Sequence, residues 1–224
     1  MNFNQNCWYR ECCKKVDTDT CTKACVRYLE MKTMLEKSEL PKIWWKPKQL
    51  YAEADELAYH KLSQIKKNID TFVSEGKNIY IYSRNYGNGK TSWAVKLLLA
   101  YFNKVWYGNG FRCKGLYINS TGFLMRKKGL ISKIDEEYLA LTKTLETVNL
   151  AVWDDIAVNK LSDYDYQTLS SMIDTRMFNG KSNIFTSDAD KQQLEYCLGP
   201  KLANTIWNNS VIIEFKNPDM RGVL

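Results

Sequence analysis

Asn78-Ile79-Tyr80-Ile81-Tyr82-Ser83-Arg84-Asn85-Tyr86-Gly87-Asn88-Gly89-Lys90-Thr91-Ser92 is the stretch on which the reading of this chain turns. Residues 78–83 are a short apolar run that predicts a strand, and residues 91–104 carry a helical pattern. Between them, Gly87 and Gly89 let the backbone curl so that successive N–H groups point inward at an anion. The helix that follows starts at that anion and adds its N-terminal partial charge. Strand, glycine turn, Lys-Thr and helix in this order make a phosphate loop. Lys90 would reach the β- and γ-phosphates of ATP and Thr91 would place its hydroxyl on Mg²⁺. Asn85, Tyr86, Gly87, Asn88, Gly89, Lys90, Thr91 and Ser92 are therefore the predicted nucleotide contacts. The pattern G-x-x-x-x-G-K-[ST] has glycine where this chain has Arg84, which leaves the first bend of the loop open.

Working outward, Leu150-Ala151-Val152-Trp153-Asp154-Asp155 is a buried-strand pattern that ends in two carboxylates. At the mouth of a parallel sheet, Asp154 would hold the Mg²⁺ shell and Asp155 would orient an attacking water. The plainer alternative is a solvated strand end or helix cap.

Strand patterns at 115–119, 183–187 and 211–216 alternate with helical ones at 54–75, 164–178, 191–198 and 201–207. Such alternation predicts an α/β fold, a P-loop NTPase parallel sheet sandwiched by helices. The 54–75 helix carries Leu57, Leu62, Ile65, Ile69 and Phe72 on one stripe, and the lone histidine, His60, reads there as a surface residue. No internal repeat or low-complexity tract interrupts the series. The 224 residues hold 45% hydrophobic and 25% charged residues, which suits one globular core with an appendage. No apolar run reaches the roughly 18 residues of a membrane helix, and the polar start has no signal-peptide character, so a cytoplasmic protein without membrane contact is expected. The net charge of +7 suits a polyanion partner without requiring one.

Residues 1–48 read as a separate cysteine-rich module and linker ahead of a 49–224 ATPase domain. They hold ten Lys+Arg against six Asp+Glu, and Pro41 and Pro47 bracket Ile43-Trp44-Trp45 at the junction. Cys7, Cys12, Cys13, Cys21 and Cys25 crowd the first 25 residues. Five cysteines pair badly as disulfides, so a reducing compartment and a tetrahedral Zn²⁺ site are expected instead. The expected ligands are Cys7, Cys12, Cys21 and Cys25, with Cys13 an alternative to Cys12. Reduced, packed cysteines are the other reading, and Cys113 and Cys197 read as ordinary buried thiols. Arg126, Lys127, Lys128 and Lys133 form a basic cluster after the second strand, suited to single-stranded DNA or else a solvated loop. Trp8, Tyr9, Trp44, Trp45, Trp106, Tyr107 and Phe111 are candidates for stacking on bases or a partner, or for the core.

Gly-x-Gly-Lys-Thr, Val152-Trp153-Asp154-Asp155-Ile156, Ile173-Asp174-Thr175-Arg176, Thr186-Ser187-Asp188 and Asp219-Met220-Arg221 together resemble the AAA+ ATPases of the DnaC/DnaI helicase-loader family. Phage-encoded members with a cysteine cluster ahead of the ATPase are the nearest in likeness. The resemblance implies ATP and Mg²⁺ as cofactors, a hexameric replicative helicase and single-stranded DNA as partners, homo-oligomers as a possible assembly, and weak ATP hydrolysis. It gives catalytic roles to Lys90, Asp155, Asp188 and Arg221, with Asp188 where the family has a sensor asparagine and Arg221 as the second sensor. The family's trans-acting arginine finger falls at Thr205, and Arg176 is the candidate substitute. Rival readings are a transposition helper ATPase of the IstB type, which lacks a cysteine module, and a nucleotide-locked adaptor or inhibitor of the helicase.

Overall fold

The computed structural model describes residues 7–10, 13–16, 18–46, 55–129 and 136–217. Cys12, Lys133 and Asp219-Met220-Arg221 lie outside the described residues. Five strands, β1 (Asn78–Tyr82), β2 (Gly115–Asn119), β3 (Leu150–Asp154), β4 (Ser182–Ser187) and β5 (Ser210–Glu214), form one parallel sheet in the order β2-β3-β4-β1-β5. Every residue of β3 and β4 is buried, which is why those strands read as continuous apolar or small-residue runs with no alternation.

Helices cover both faces. On one, α4 (Lys90–Val105) buries Trp93, Val95, Leu97, Leu98 and Phe102, and α2 (Glu56–Lys67) and α3 (Ile69–Ser74) pack beside it. The other is covered by α5 (Ser120–Gly129), α6 (Glu136–Thr147), α7 (Asp163–Phe178), α8 (Lys191–Leu198) and α9 (Pro200–Asn208), whose Phe123, Leu145, Leu169, Leu194 and Ile206 enclose Trp153 and Phe185. This is the α/β sheet-and-helix sandwich expected from the alternation. Among the described residues no helix is long and apolar enough to cross a membrane.

Three expectations need correction. The single helix expected over 54–75 is two, because Asn68, a weak helix former with φ −115° and ψ 32°, breaks it between α2 and α3. Leu57, expected on the buried stripe, is 82% exposed, whereas Leu62, Ile69 and Phe72 are buried. The segment after β2 is helical rather than a basic loop. On α5, Arg126 pairs with Glu137, Lys127 donates to Thr168 Oγ1 at 2.7 Å, and Lys128 meets Asp165 at 2.7 Å. These cations fasten α5 to α6 and α7.

The described part of the N-terminal segment packs on the same core. Its helix α1 (Val26–Lys37) buries Met31, Met34 and Leu35, which join Tyr9 and Leu40 in the cluster that contains Trp93 and Leu98. The Arg27 guanidinium lies 3.6 Å from the Tyr9 ring centre, and Trp8 stacks on Tyr28 at 5.0 Å. Beyond α1 the chain runs along β2, the sheet's edge, where Tyr117 N–H donates to the Ser38 carbonyl at 2.8 Å. Phe111 N–H donates to Glu30 at 3.0 Å, and Lys37 donates to the Phe111 carbonyl at 3.1 Å. An open strand edge is thereby covered.

Candidate functional site at the carboxyl ends of the strands

In an open parallel sheet the crevice beyond the carboxyl ends of the strands is where ligands sit. There β1 runs into the 83–92 loop, β3 ends at Asp154-Asp155 and β4 ends at Ser187-Asp188. Because β3, β4 and β1 are adjacent, residues more than 60 positions apart in sequence are brought together. Gly87 and Gly89 take φ of 69° and 99°, in the left-handed region that their lack of a Cβ makes accessible, and Gly89 directly precedes α4.

Lys90 is buried at the start of α4. Its ammonium lies 2.8 Å from Asp188 Oδ1, donates to the Asn85 carbonyl at 2.9 Å and reaches Asn88 Oδ1 at 3.4 Å. The tip of the loop is tied down as well. Asn85 Nδ2 donates to the carbonyls of Lys216 and Asn217 at 3.0 and 3.1 Å, and Asn88 Nδ2 donates to Ser83 Oγ at 2.5 Å. Asp55, just ahead of α2, accepts from the backbone N–H groups of Lys216 and Asn217 at 3.0 and 3.2 Å. The C-terminal segment is thus laid against the loop, and Arg221 belongs to residues beyond it. Arg84, where the loop pattern has glycine, reaches across to Asp190, which caps α8 by accepting from Gln193 N–H at 3.0 Å. Tyr86 is exposed at the loop tip, and Thr91 and Ser92 are half-buried on the first turn of α4.

Asp154 is buried, with each carboxylate oxygen already engaged: Tyr117 Oη donates to Oδ2 at 2.6 Å and Thr186 Oγ1 donates to Oδ1 at 2.7 Å. Thr186 Oγ1 in turn accepts from Asp155 N–H at 3.0 Å. Neither Tyr117 nor Thr186 was predicted as a site residue. The signal that could have found them is their place in the strand patterns next to the carboxylates. Burial pushes the Tyr117 hydroxyl well above the ordinary tyrosine range, and Asp154 adds to it, so Tyr117 remains a donor. Asp155 sits at φ 53°, with Ala157 at φ 70°, a left-handed turn made by non-glycine residues immediately after β3. Such strain concentrates at functional sites. Burial raises the Asp155 carboxyl above its ordinary value, the charges of Asp154 and Asp188 raise it further, and Lys90 opposes them.

Oxygen donors such as the Asp154 carboxylate and the Thr91 hydroxyl suit Mg²⁺, and each Asp154 oxygen keeps a lone pair beyond its one hydrogen bond. The cysteines behave differently. Among the described residues no group of three or more His, Cys, Asp or Glu side chains is placed to hold a metal ion. Cys7 and Cys13 lie against the apolar core while Cys25 is exposed ahead of α1. The described thiols of Cys7, Cys13, Cys21 and Cys25 are not gathered into such a group, and Cys12 lies outside the described residues. Cys113 is half-buried, and burial raises its thiol to about 11.

Arg176 is not available as a finger. It is 0% exposed on α7, donating to Asn183 Oδ1 at 2.7 Å, Ser182 O at 2.7 Å, Val148 O at 3.0 Å and the Leu145 carbonyl. Burial depresses it to about 9. It closes the carboxyl end of α6 from inside the protein. Thr205 is half-buried on α9.

No family model and no curated protein matches the chain. Solved structures do. A structure of the DnaC helicase loader superposes with a TM-score of 0.64 at 22% identity, covering 79% of this chain and 100% of that one. A DnaI structure gives 0.60 at 17% identity over 79% of this chain and 95% of its own. AMPPCP-bound DnaA from Aquifex aeolicus gives 0.60 at 17% identity, over 75% of this chain and 48% of that chain. The chain therefore shares its fold with these structures. The structures that share it include replication proteins of both the loader and the initiator type.

Proposed function

We propose that this protein binds ATP with Mg²⁺ in the crevice above β1, β3 and β4 and acts as an ATP-dependent loader that delivers a hexameric replicative helicase to single-stranded DNA. The observation that carries the reading is the convergence of Lys90, Asp154, Asp155 and Asp188 at adjacent strand ends. Likeness along the whole length of the DnaC loader structure supports the choice of partner. In this reading Asn85, Tyr86, Gly87, Asn88, Gly89, Lys90, Thr91 and Ser92 enclose the phosphates, and Thr91 and Asp154 hold Mg²⁺. The metal, when bound, screens the charge of the β- and γ-phosphates. Tyr117 and Thr186 keep the Asp154 carboxylate oriented, since donors to a ligating carboxylate fix its geometry. Asp155, raised by burial and its acidic neighbours, is the acceptor that orients water toward the γ-phosphate. Arg221 pairs with phosphate from the C-terminal segment. Residues 1–48 are assigned to grip the helicase and 49–224 to the ATPase.

A second reading, a nucleotide-bound adaptor or inhibitor that does not turn over, is favoured by Thr205 at the finger position. A missing finger forfeits about 10³–10⁵ in rate. Both readings need nucleotide. Calorimetry with ATP and Mg²⁺ should give saturable one-site binding to the wild type and none to Lys90→Ala, which removes the main cation facing the phosphates. Equal affinity in the two would remove the loop as a phosphate site.

A further inference from the structure

Lys90 has three ammonium protons and three acceptors within reach: Asp188 Oδ1, the Asn85 carbonyl and Asn88 Oδ1. Its side chain is only 8% exposed, so water cannot replace a lost partner easily. The charges facing this space are one-sided. The charges of Asp154 and Asp188 act on Asp155, Asp188 pairs with Lys90, and Lys90 is the cation that opposes the two acids at Asp155. Arg84 is held by Asp190.

A triphosphate carries about four negative charges and makes its strongest contact with the loop lysine. To reach Lys90 it must take the place of Asp188, and the released carboxylate then lies beside the incoming phosphate. An asparagine in that position would donate a hydrogen bond to phosphate, whereas a carboxylate only accepts and repels. We propose that Asp188 serves as an internal anion on Lys90, so that the site favours nucleotide that enters together with a divalent cation. Asp188 is then a specificity-determining residue that selects the metal-complexed triphosphate over the free one. The inference rests on the nucleotide reading above and adds the form of nucleotide that the site accepts.

The expected size follows from the geometry. Two unit charges in contact act on each other far more weakly in water than inside a protein, and Asp188, part-exposed, is screened by solvent. Removing its charge should change metal-free affinity by about tenfold. Affinity for a fluorescent ATP analogue is measured in Mg²⁺ and in EDTA for the wild type, Asp188→Asn and Asp188→Ser, with thermal melting to verify that each is folded. Two variants are used so that one folded protein suffices. The expected result is a preference for the Mg²⁺ form that falls about tenfold or more in the variants, chiefly because binding in EDTA tightens. An unchanged preference in a folded variant overturns the proposal. So does a fall caused only by weaker binding in Mg²⁺, which would make Asp188 a metal-shell group. No binding by any of the proteins under either condition would instead refute the nucleotide reading, and the inference with it.

Discussion

Replacing Arg176 by methionine tests whether this arginine is an interior brace or a reactive group. The side chain is fully buried and donates to the carbonyls of Leu145, Val148 and Ser182 and to the Asn183 amide oxygen. Asn183 Oδ1 keeps a donor, since Trp153 Nε1 reaches it at 3.1 Å. The Ser182 carbonyl stays in the β3–β4 ladder, whose register sets it against β3, whereas the carbonyls of Leu145 and Val148 lose their donor. At about 1–3 kcal/mol for each buried group left without a partner, the gross cost is roughly 2–6 kcal/mol. Relief of the buried cation works the other way, since burial alone already lowers Arg176 to about 9. A net loss of about 3 kcal/mol follows, at the low end of the roughly 3–5 kcal/mol for breaking buried charged networks. For a chain of 224 residues that corresponds to a fall in Tm of roughly 6–12 °C by calorimetry. Nucleotide affinity at a temperature where the variant is folded should be unchanged. An unaltered Tm together with lost partner-stimulated hydrolysis would refute the brace and restore the finger.

Other perturbations bear on the carboxylates and the cysteines. The Asp155 carboxyl is raised above its ordinary value of 3.8, chiefly by burial, so the folded state holds its proton more tightly than the unfolded chain. Its contribution to stability is present below 3.8 and lost as pH rises through the folded value. Asp155→Asn should therefore raise Tm at pH 7, and the gain should fade as pH falls toward 3.8, which a melting series across pH would read. Tyr117→Phe removes the donor to Asp154 Oδ2 and should weaken Mg²⁺-dependent nucleotide affinity by about tenfold while leaving Mg²⁺-free affinity unchanged. Because Tyr9, Met31, Met34 and Leu35 anchor the N-terminal segment to the core, chelators should leave its protection from proteolysis intact. Protection lost on chelation and regained with zinc would favour the four-thiolate site.

Much of the framework was readable because β1, β3 and β4 are buried on both faces and announce themselves as uninterrupted runs between turns. The 83–92 loop was readable for a different reason: its chemistry needs particular residues in a fixed order. Helices α5 and α6 were not legible. Each presents few buried positions, such as Phe123 and Leu124 or Tyr138 and Leu145, among charged residues, so no sustained stripe appears. The roles of Tyr117, Thr186 and Arg176 were hidden because each depends on a partner from another element. A strand threonine can point into the sheet or at a carboxylate, and an arginine three positions before a turn reads as surface until its helix is placed. Sequence separation also hid the link between Lys90 and Asp188, which adjacency of β1 and β4 creates.

The central claim is nucleotide-dependent delivery of a helicase. The direct measurement is helicase placement on circular single-stranded DNA, followed by unwinding of an annealed strand, with no added protein, with the wild type and with Lys90→Ala. Placement should be stimulated by the wild type only when ATP and Mg²⁺ are present, and Lys90→Ala should give no more than the helicase alone. Stimulation that is equal for Lys90→Ala, or tight helicase binding with placement suppressed whatever the nucleotide, would contradict the loader.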